Sequence, residues 1–367
     1  MIGIYGVDLA IRSISGGGRL IGWELVTFGL LVQPALRHKM KSFSAHPSVW
    51  DLMNNSSAPV RWLILASFAL VYLIWGSSYI GIRFAIETIP PFLMTGVRFL
   101  IAGSLLLALG VARGGSIRNL VHWRSAAIAG GLMFLLNNSM IVWSQAHGLP
   151  SGVNAVLLAT MPMWMVGMSW FRGTRPTLVT AIGLLIGFVG VLLLVNPGNI
   201  SVQNLHPFAP IMSVLAAGAW AAGALYARTA RLPDNGIIST GMQLLMGGVM
   251  IMGLSIGTGD AATLDISKIS LTSVVAMAHL TIMSSVVTFT AFGYLMKHVA
   301  PAKVTTYAYV NPIIAMFLGW LLANEPITLI KIVAATIILS GVVLITAYGS
   351  RKLSFRREQP EAAVEPI

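Results

Sequence analysis

The sequence predicts an all-α polytopic membrane protein with ten transmembrane helices arranged as two inverted five-helix repeats. Three observations predict it: a composition poor in charge, ten apolar runs joined by short connections, and basic residues that recur in alternate connections. Of 367 residues, 56% are hydrophobic and 9% charged, and the mean hydropathy is +0.82. Soluble domains carry about 25% charged residues. The net charge of +12 is scattered in small groups between apolar runs, whereas a nucleic-acid binder gathers its cations on one face, so no nucleic-acid partner is expected. With no cysteine in the chain, disulfides, thiolate chemistry and thiol-ligated metals are excluded.

A span needs about 20 mostly apolar residues, and each run approaches that length. The first, 62–86, carries Trp75, Tyr79 and Arg83. The second, 92–112, comes after a Pro-Pro pair and carries Arg98. Asn137 and Asn138 interrupt the third, 125–145; Asn154 and Pro162 lie in the fourth, 152–171. The fifth, 177–195, holds Gly183 and Gly187 at the spacing that lets helices approach closely. The polar stretch "NPGNISVQNLHP" then divides the chain. Trp220 lies in the sixth run, 209–229; the seventh is 237–256 and the eighth, 272–296, contains His279. Tyr307, Tyr309, Asn311 and Pro312 belong to the ninth, 302–323. The tenth, 328–348, comes after Glu325 and Pro326, a pair suited to open a helix. The expected organisation is a first repeat over 61–195, an extracytoplasmic linker over 196–208, a second repeat over 209–349 and a tail over 350–367. Residues 1–60 stand outside this scheme: "LIGWELVTFGLLV" is too short to span and contains Glu24, and Met53 is an alternative natural start.

Charge sets the orientation. Arg113, Arg118 and Arg124 lie after the second run, Arg172 and Arg175 after the fourth, Arg228 and Arg231 after the sixth, and Lys297 and Lys303 after the eighth. Arg61 and the basic tail after 350 fall on the same side, which the positive-inside rule makes cytoplasmic for both termini. The halves also repeat one another. Pro150 maps onto Pro301 and Gly190 onto Gly341 at one offset, Pro162 onto Pro312 within one residue of it, and Trp75 and Arg83 map onto Trp220 and Arg228 at another. An odd number of spans per repeat inverts the second half, and inverted repeats place substrate sites at their interface near the bilayer midplane.

Three stretches, "YLIWGSSYIGIRFAIETIPPFLMTGVRFLIAG" from Tyr72, "GLPSGVNAVLLATMPMW" from Gly148 and "APAKVTTYAYVNPIIAMFLGWLLANEPIT" from Ala300, resemble the EamA-domain family of the drug/metabolite transporter superfamily, and within it the YedA-like inner-membrane permeases. The resemblance covers about 60–350. It implies a ten-helix carrier of the inner (plasma) membrane, built from two inverted EamA domains, that moves small metabolites, amino-acid-like compounds or drugs, often outward.

Side-chain chemistry selects the candidate site residues. Arg83 and Arg98 are costly in lipid and belong in a wet cavity, at an interface or in an ion pair; their planar forks suit a carboxylate, while Glu87 lies one turn from Arg83 as a structural partner. Trp75 and Tyr79 share a helix face, Trp220 holds the position matching Trp75, and Tyr307, Tyr309 and Asn311 offer rings and hydrogen bonds for an amphipathic ligand. Asn138 and Asn154 need protein or water partners at membrane depth. Pro162 and Pro312 are paired candidates for helix bends. Six of the seven histidines lie outside the runs, and neither H-E-x-x-H nor G-x-S-x-G occurs. No catalytic residue, metal site or cofactor is therefore assigned, and the partners expected are a small-molecule substrate and the lipid bilayer. A homodimer is neither required nor excluded by the pattern. Outside transport, a non-transporting membrane interaction protein is the main alternative, ahead of a membrane-embedded enzyme.

Overall fold

The computed structural model describes residues 58–171, 173, 175–195, 205–299, 304 and 306–355. The chain divides into two units, Met1–Trp62 and Leu63–Ile367, and the second carries the helical assembly. The atypical 1–60 region, apart from its last three residues, and most of the 196–208 linker and of the tail lie outside the described residues.

Among the described residues, seven helical stretches are long and apolar enough to cross a membrane. They are Trp62–Ala85 within helix Ala58–Ala85 (α1), Pro91–Ala112 (α2), Leu120–Ala146 (α3), Ser151–Phe171 (α4), Ala209–Ala227 (α6), Gly236–Gly257 (α7) and Leu271–Leu295 (α8). Three shorter apolar stretches accompany them: Leu178–Leu194 in helix Leu178–Val195 (α5), Tyr307–Ala323 (α9), and Leu329–Ile345 in helix Leu329–Phe355 (α10). No strand occurs among the described residues. Large apolar side chains such as Leu105, Leu185, Phe188, Ile313 and Phe317 stay exposed on the outer helix faces, a surface suited to acyl chains and not to water.

Local chemistry sets the helix ends. Asn119 starts α3 by accepting from the Val121 N–H at 2.9 Å, and so the helix begins five residues before the apolar run does. Asn235 and Ser270 cap α7 and α8 in the same way. At the end of α9, Asn324 takes the left-handed conformation (φ 52°), the conformation most often seen in a helix-terminating residue.

The main helix contacts are α2 with α7, α5 with α10, α3 with both α6 and α7, and α4 with both α6 and α9, while hydrogen bonds from Trp75 and Ser78 to Ser284 join α1 to α8. Small residues allow the closest approaches. A Cβ added at Gly103 of α2 would lie 2.6 Å from the Leu245 backbone nitrogen of α7, and one at Gly341 of α10 would lie 2.6 Å from the Gly183 oxygen and Gly187 nitrogen of α5. The Gly183 and Gly187 pair thus packs as its spacing predicts.

Three helices depart from regular geometry. The fourth is broken at residues 159–160, between segments Ser151–Leu158 and Met161–Phe171, immediately before Pro162, whose missing N–H leaves the Leu158 carbonyl without its usual helical donor. The third and eighth each contain a π-helical segment, Gly131–Leu136 and His279–Val287. Widened turns of this kind recur at functional sites, and side chains satisfy carbonyls five residues back: Asn138 reaches Met133, Ser285 reaches Leu280 and Thr288 reaches Met283. Pro312 sits inside α9.

Candidate functional site

The broken and widened helices surround a central cavity of about 130 Å³. One side of its lining comes from Trp75, Ser78, Tyr79 and Ile82, spaced i, i+3, i+4 and i+7 along α1 and therefore on one face. Arg98 and Phe99 of α2, Phe134, Asn137 and Asn138 of α3, and Leu158, Ala159 and Met161 at the break in α4 continue it. From the second half come Ala217 and Trp220 of α6, Ser284 and Phe289 of α8, and Tyr307, Ala308, Asn311 and Pro312 of α9.

A run of edge-on rings crosses the site. Trp75 meets Phe289 at 5.2 Å between centroids, Phe289 meets Phe134 at 5.8 Å, and Phe134 meets Trp220 at 6.1 Å. The two tryptophans thus end a chain that passes through α8 and α3. Tyr307 adds a ring 5.0 Å from Trp75, and the Trp75 indole N–H donates to the Ser284 carbonyl at 3.3 Å.

Arg98 is buried, and among the described residues it is the one cation of this lining. Its Nε donates to Ser285 Oγ at 2.9 Å and an Nη2 hydrogen to Ser284 Oγ at 3.2 Å, while the guanidinium lies 4.8 Å from the centre of the Phe99 ring. No carboxylate among the described residues pairs with it or lines the cavity. Arg83, alike in sequence, is exposed in the last turn of α1, outside the lining, and among the described residues forms no ion pair with Glu87.

The remaining expected residues divide between the cavity and the packing. Asn138 lines the cavity and donates to Met133 and Asn137; Asn137 in turn holds the Ala216 carbonyl of α6 at 2.8 Å. With its amide nitrogen facing the acceptors around it, Asn311 reaches the Tyr307 and Tyr72 carbonyls, each at 3.2 Å. Asn154 lies away from the cavity, joining three helices through the Ile141 carbonyl at 3.2 Å and Ser213 Oγ at 2.9 Å. Tyr309 turns to the opposite face of α9 from Tyr307 and donates to the Val342 carbonyl at 3.4 Å. Pro312 lines the cavity; Pro162 stands one residue beyond the lining. His279 pairs with Ser77 at 3.1 Å, outside the lining. Ser78, Phe99, Phe134, Ser284 and Phe289 are cavity residues that side-chain type alone did not single out; serine pairs inside apolar runs, "GSSY" and "MSSV", were the available signal.

Glu325 closes one end of the assembly. From the turn after α9 it accepts the Ser151 and Gly152 backbone N–H groups at 2.7 and 3.2 Å, placing a carboxylate on the N-terminus of α4. An anion is favoured there because the first N–H groups of a helix lack internal partners and the macrodipole is positive. Glu325→Gln keeps an acceptor but loses the charge, and Glu325→Ala leaves both N–H groups without it. Thermal unfolding of the detergent-purified chain should give midpoints in the order wild type, Gln, Ala, with alanine costing about 1–2 kcal/mol. Equal midpoints for all three would show that the contact contributes nothing.

Fold and cavity together define a polytopic membrane protein with an internal site of small-molecule size. The chain belongs to the EamA-like transporter family, whose model matches residues 61–196 and 207–347. It is 36% identical over 281 residues to the "Uncharacterized inner membrane transporter YedA" of Escherichia coli (strain K12), covering 77% of this chain and 89% of that one. The "Uncharacterized transporter YoaV" of Bacillus subtilis (strain 168) is 24% identical over 79% of this chain and 98% of its own. "Protein PecM" of Dickeya dadantii (strain 3937) is 23% identical over 80% of this chain and 96% of its own. One solved structure, 20% identical, covers 81% of this chain and 99% of its own with a TM-score of 0.55, a likeness of fold alone. The protein is a membrane transporter.

Proposed function

We propose that the chain is an alternating-access carrier of the inner membrane, an exporter or exchanger of small metabolites, amino-acid-like compounds or drugs. Its ten spans form two inverted repeats, 61–195 and 209–349, joined by the extracytoplasmic 196–208 linker, with both termini and the 350–367 tail cytoplasmic. The carrying observation is the central cavity, lined from both halves by rings interspersed with hydroxyl and amide groups.

The pairing of helices supports the inverted arrangement. Advancing each helix by five converts the α3–α6 pair into α8–α1 and returns α2–α7, α4–α9 and α5–α10 to themselves, as a pseudo-two-fold axis requires. The π-helical segments occupy the third helix of each half, and the prolines that interrupt regular bonding occupy the fourth. The three shortest stretches fit ten spans because a 17-residue helix is about 25 Å long, at the low end of what crosses hydrocarbon. Rocking one half against the other around a site at their interface is the motion such architecture permits.

The test is flux in vesicles reconstituted with the full chain, using metabolites whose distribution between medium and cytoplasm changes on expression. The expected result is a saturable initial rate accelerated by the same compound on the opposite side. Unsaturable flux would point to a channel, and no flux to a non-transporting membrane interaction protein.

A further inference from the structure

We propose that the cavity selects organic monoanions with a single-ring body, and that Arg98 is the group that receives their carboxylate. The inference rests on the carrier reading but is carried by the lining itself.

A guanidinium has five N–H groups. Ser284 and Ser285 engage two of those on Arg98, and five less two leaves three. No described residue accepts from these three. A buried cation without a counter-charge is costly, and the described lining contains no carboxylate to offset it. A bound carboxylate supplies that charge and meets the planar fork in matching geometry. The two serine contacts hold the fork rather than neutralise it: Ser285 Oγ donates back to the Leu280 carbonyl five residues earlier in the π-helical segment, and Ser78 Oγ lies 2.8 Å from Ser284 Oγ. Arg98 is thereby fixed with no counter-charge beside it among the described residues.

The rest of the lining sets the body of the ligand. Trp75, Phe134, Trp220 and Phe289 form a continuous apolar wall, and Tyr79 and Tyr307 bring two neighbouring hydroxyls to the same lining. An apolar cavity of about 150 Å³ holds one benzene ring, and the cavity measures about 130 Å³. One ring with a short carboxylate arm matches that volume, and a fused two-ring body is a poorer match. Cations are disfavoured twice, by the charge of Arg98 and by the lack of an acid.

The experiment titrates the full-length, detergent-purified chain with benzoate, benzamide and benzylamine at one ionic strength, reading tryptophan fluorescence and thermal midpoint. These probes share a ring and differ in charge. Benzoate should saturate and bind about ten-fold or more tightly than benzamide, because charge-assisted hydrogen bonds exceed neutral ones, and benzylamine should not saturate. Acetate and naphthoate should each bind more weakly than benzoate, and naphthoate binding as tightly as benzoate would overturn the single-ring part of the proposal. Arg98→Lys should keep part of the benzoate preference and Arg98→Gln should erase it. If Arg98→Gln does not fold, the wild-type comparison decides alone. Equal binding of benzoate and benzamide, a preference for benzylamine, or benzoate binding equalled by chloride would overturn the proposal, as would a folded Arg98→Gln that still prefers benzoate. Charge-selective binding without flux in vesicles would refute the carrier reading and leave this inference standing. Saturable flux of amines with no anion binding would do the reverse.

Discussion

Valine at Gly103 should prevent the folded chain from accumulating in the membrane. A Cβ there would lie 2.6 Å from the Leu245 nitrogen, 2.9 Å from its Cα and 3.0 Å from the Gly241 oxygen, all backbone atoms of α7. Backbone cannot swing aside as the end of a side chain can, so α2 and α7 must separate along their contact. Overpacking of this kind costs about 1–3 kcal/mol and more where no side chain can yield. The same loss is expected of Gly341→Val, whose Cβ would strike α5 at Gly183 and Gly187. Gly253→Ala is the control: nothing stands within 4 Å of its Cβ, and alanine in a helix interior gains about 0.5–1 kcal/mol over glycine. Yield of monodisperse protein and thermal midpoint measure all three. A Gly103→Val protein with an unchanged midpoint would mean that α2 and α7 do not pack as described.

These contacts show which parts of the architecture were legible beforehand. Hydropathy and alternating charge located the apolar runs because lipid demands long uninterrupted spans, and most helix ends fall within a few residues of the runs. The start of α3 was not legible from hydropathy, since Asn119 caps a turn containing His122 and Arg124. The π-helical segments were hidden for a different reason: one extra residue in a turn leaves composition unchanged and shifts only the rotational phase of the residues C-terminal to it.

Phase also explains the arginines. "IRF" and "VRF" read alike, yet the cavity face of α1 is Trp75, Ser78, Tyr79 and Ile82, and Arg83 falls at the edge of that face, about 40° from Tyr79 and 80° from Trp75, in the exposed last turn of the helix. Arg98 instead faces the serine pair of α8, a contact 186 residues distant that no local pattern encodes. Tyr309 misses the site by the same logic, two residues and about 200° from Tyr307.

Trp75→Ala should reduce saturable flux at least ten-fold at matched protein level. Trp75 touches the rings of Phe289, Phe292 and Tyr307 at 5.0–5.3 Å and donates to the Ser284 carbonyl, so one side chain joins the aromatic wall to the segment that presents serines to Arg98. Alanine removes the wall and the donor together. Trp75 is half-buried, so its truncation costs less than the about 3–5 kcal/mol of a core tryptophan, and the protein level in the vesicles is still a required control. Trp75→Phe bears on the two roles separately, because it keeps one ring in the wall while losing the indole N–H and the second ring; an intermediate rate is expected. Trp220→Ala, at the other end of the ring chain, should also lower flux but leave the α1 to α8 hydrogen bond intact. A cavity enlarged by either truncation should admit two-ring compounds that the wild type disfavours, a gain that general loss of structure does not produce. Unchanged flux and unchanged size selection in both alanine variants would remove the aromatic wall from the transport path, whatever the fate of the arginine beside it.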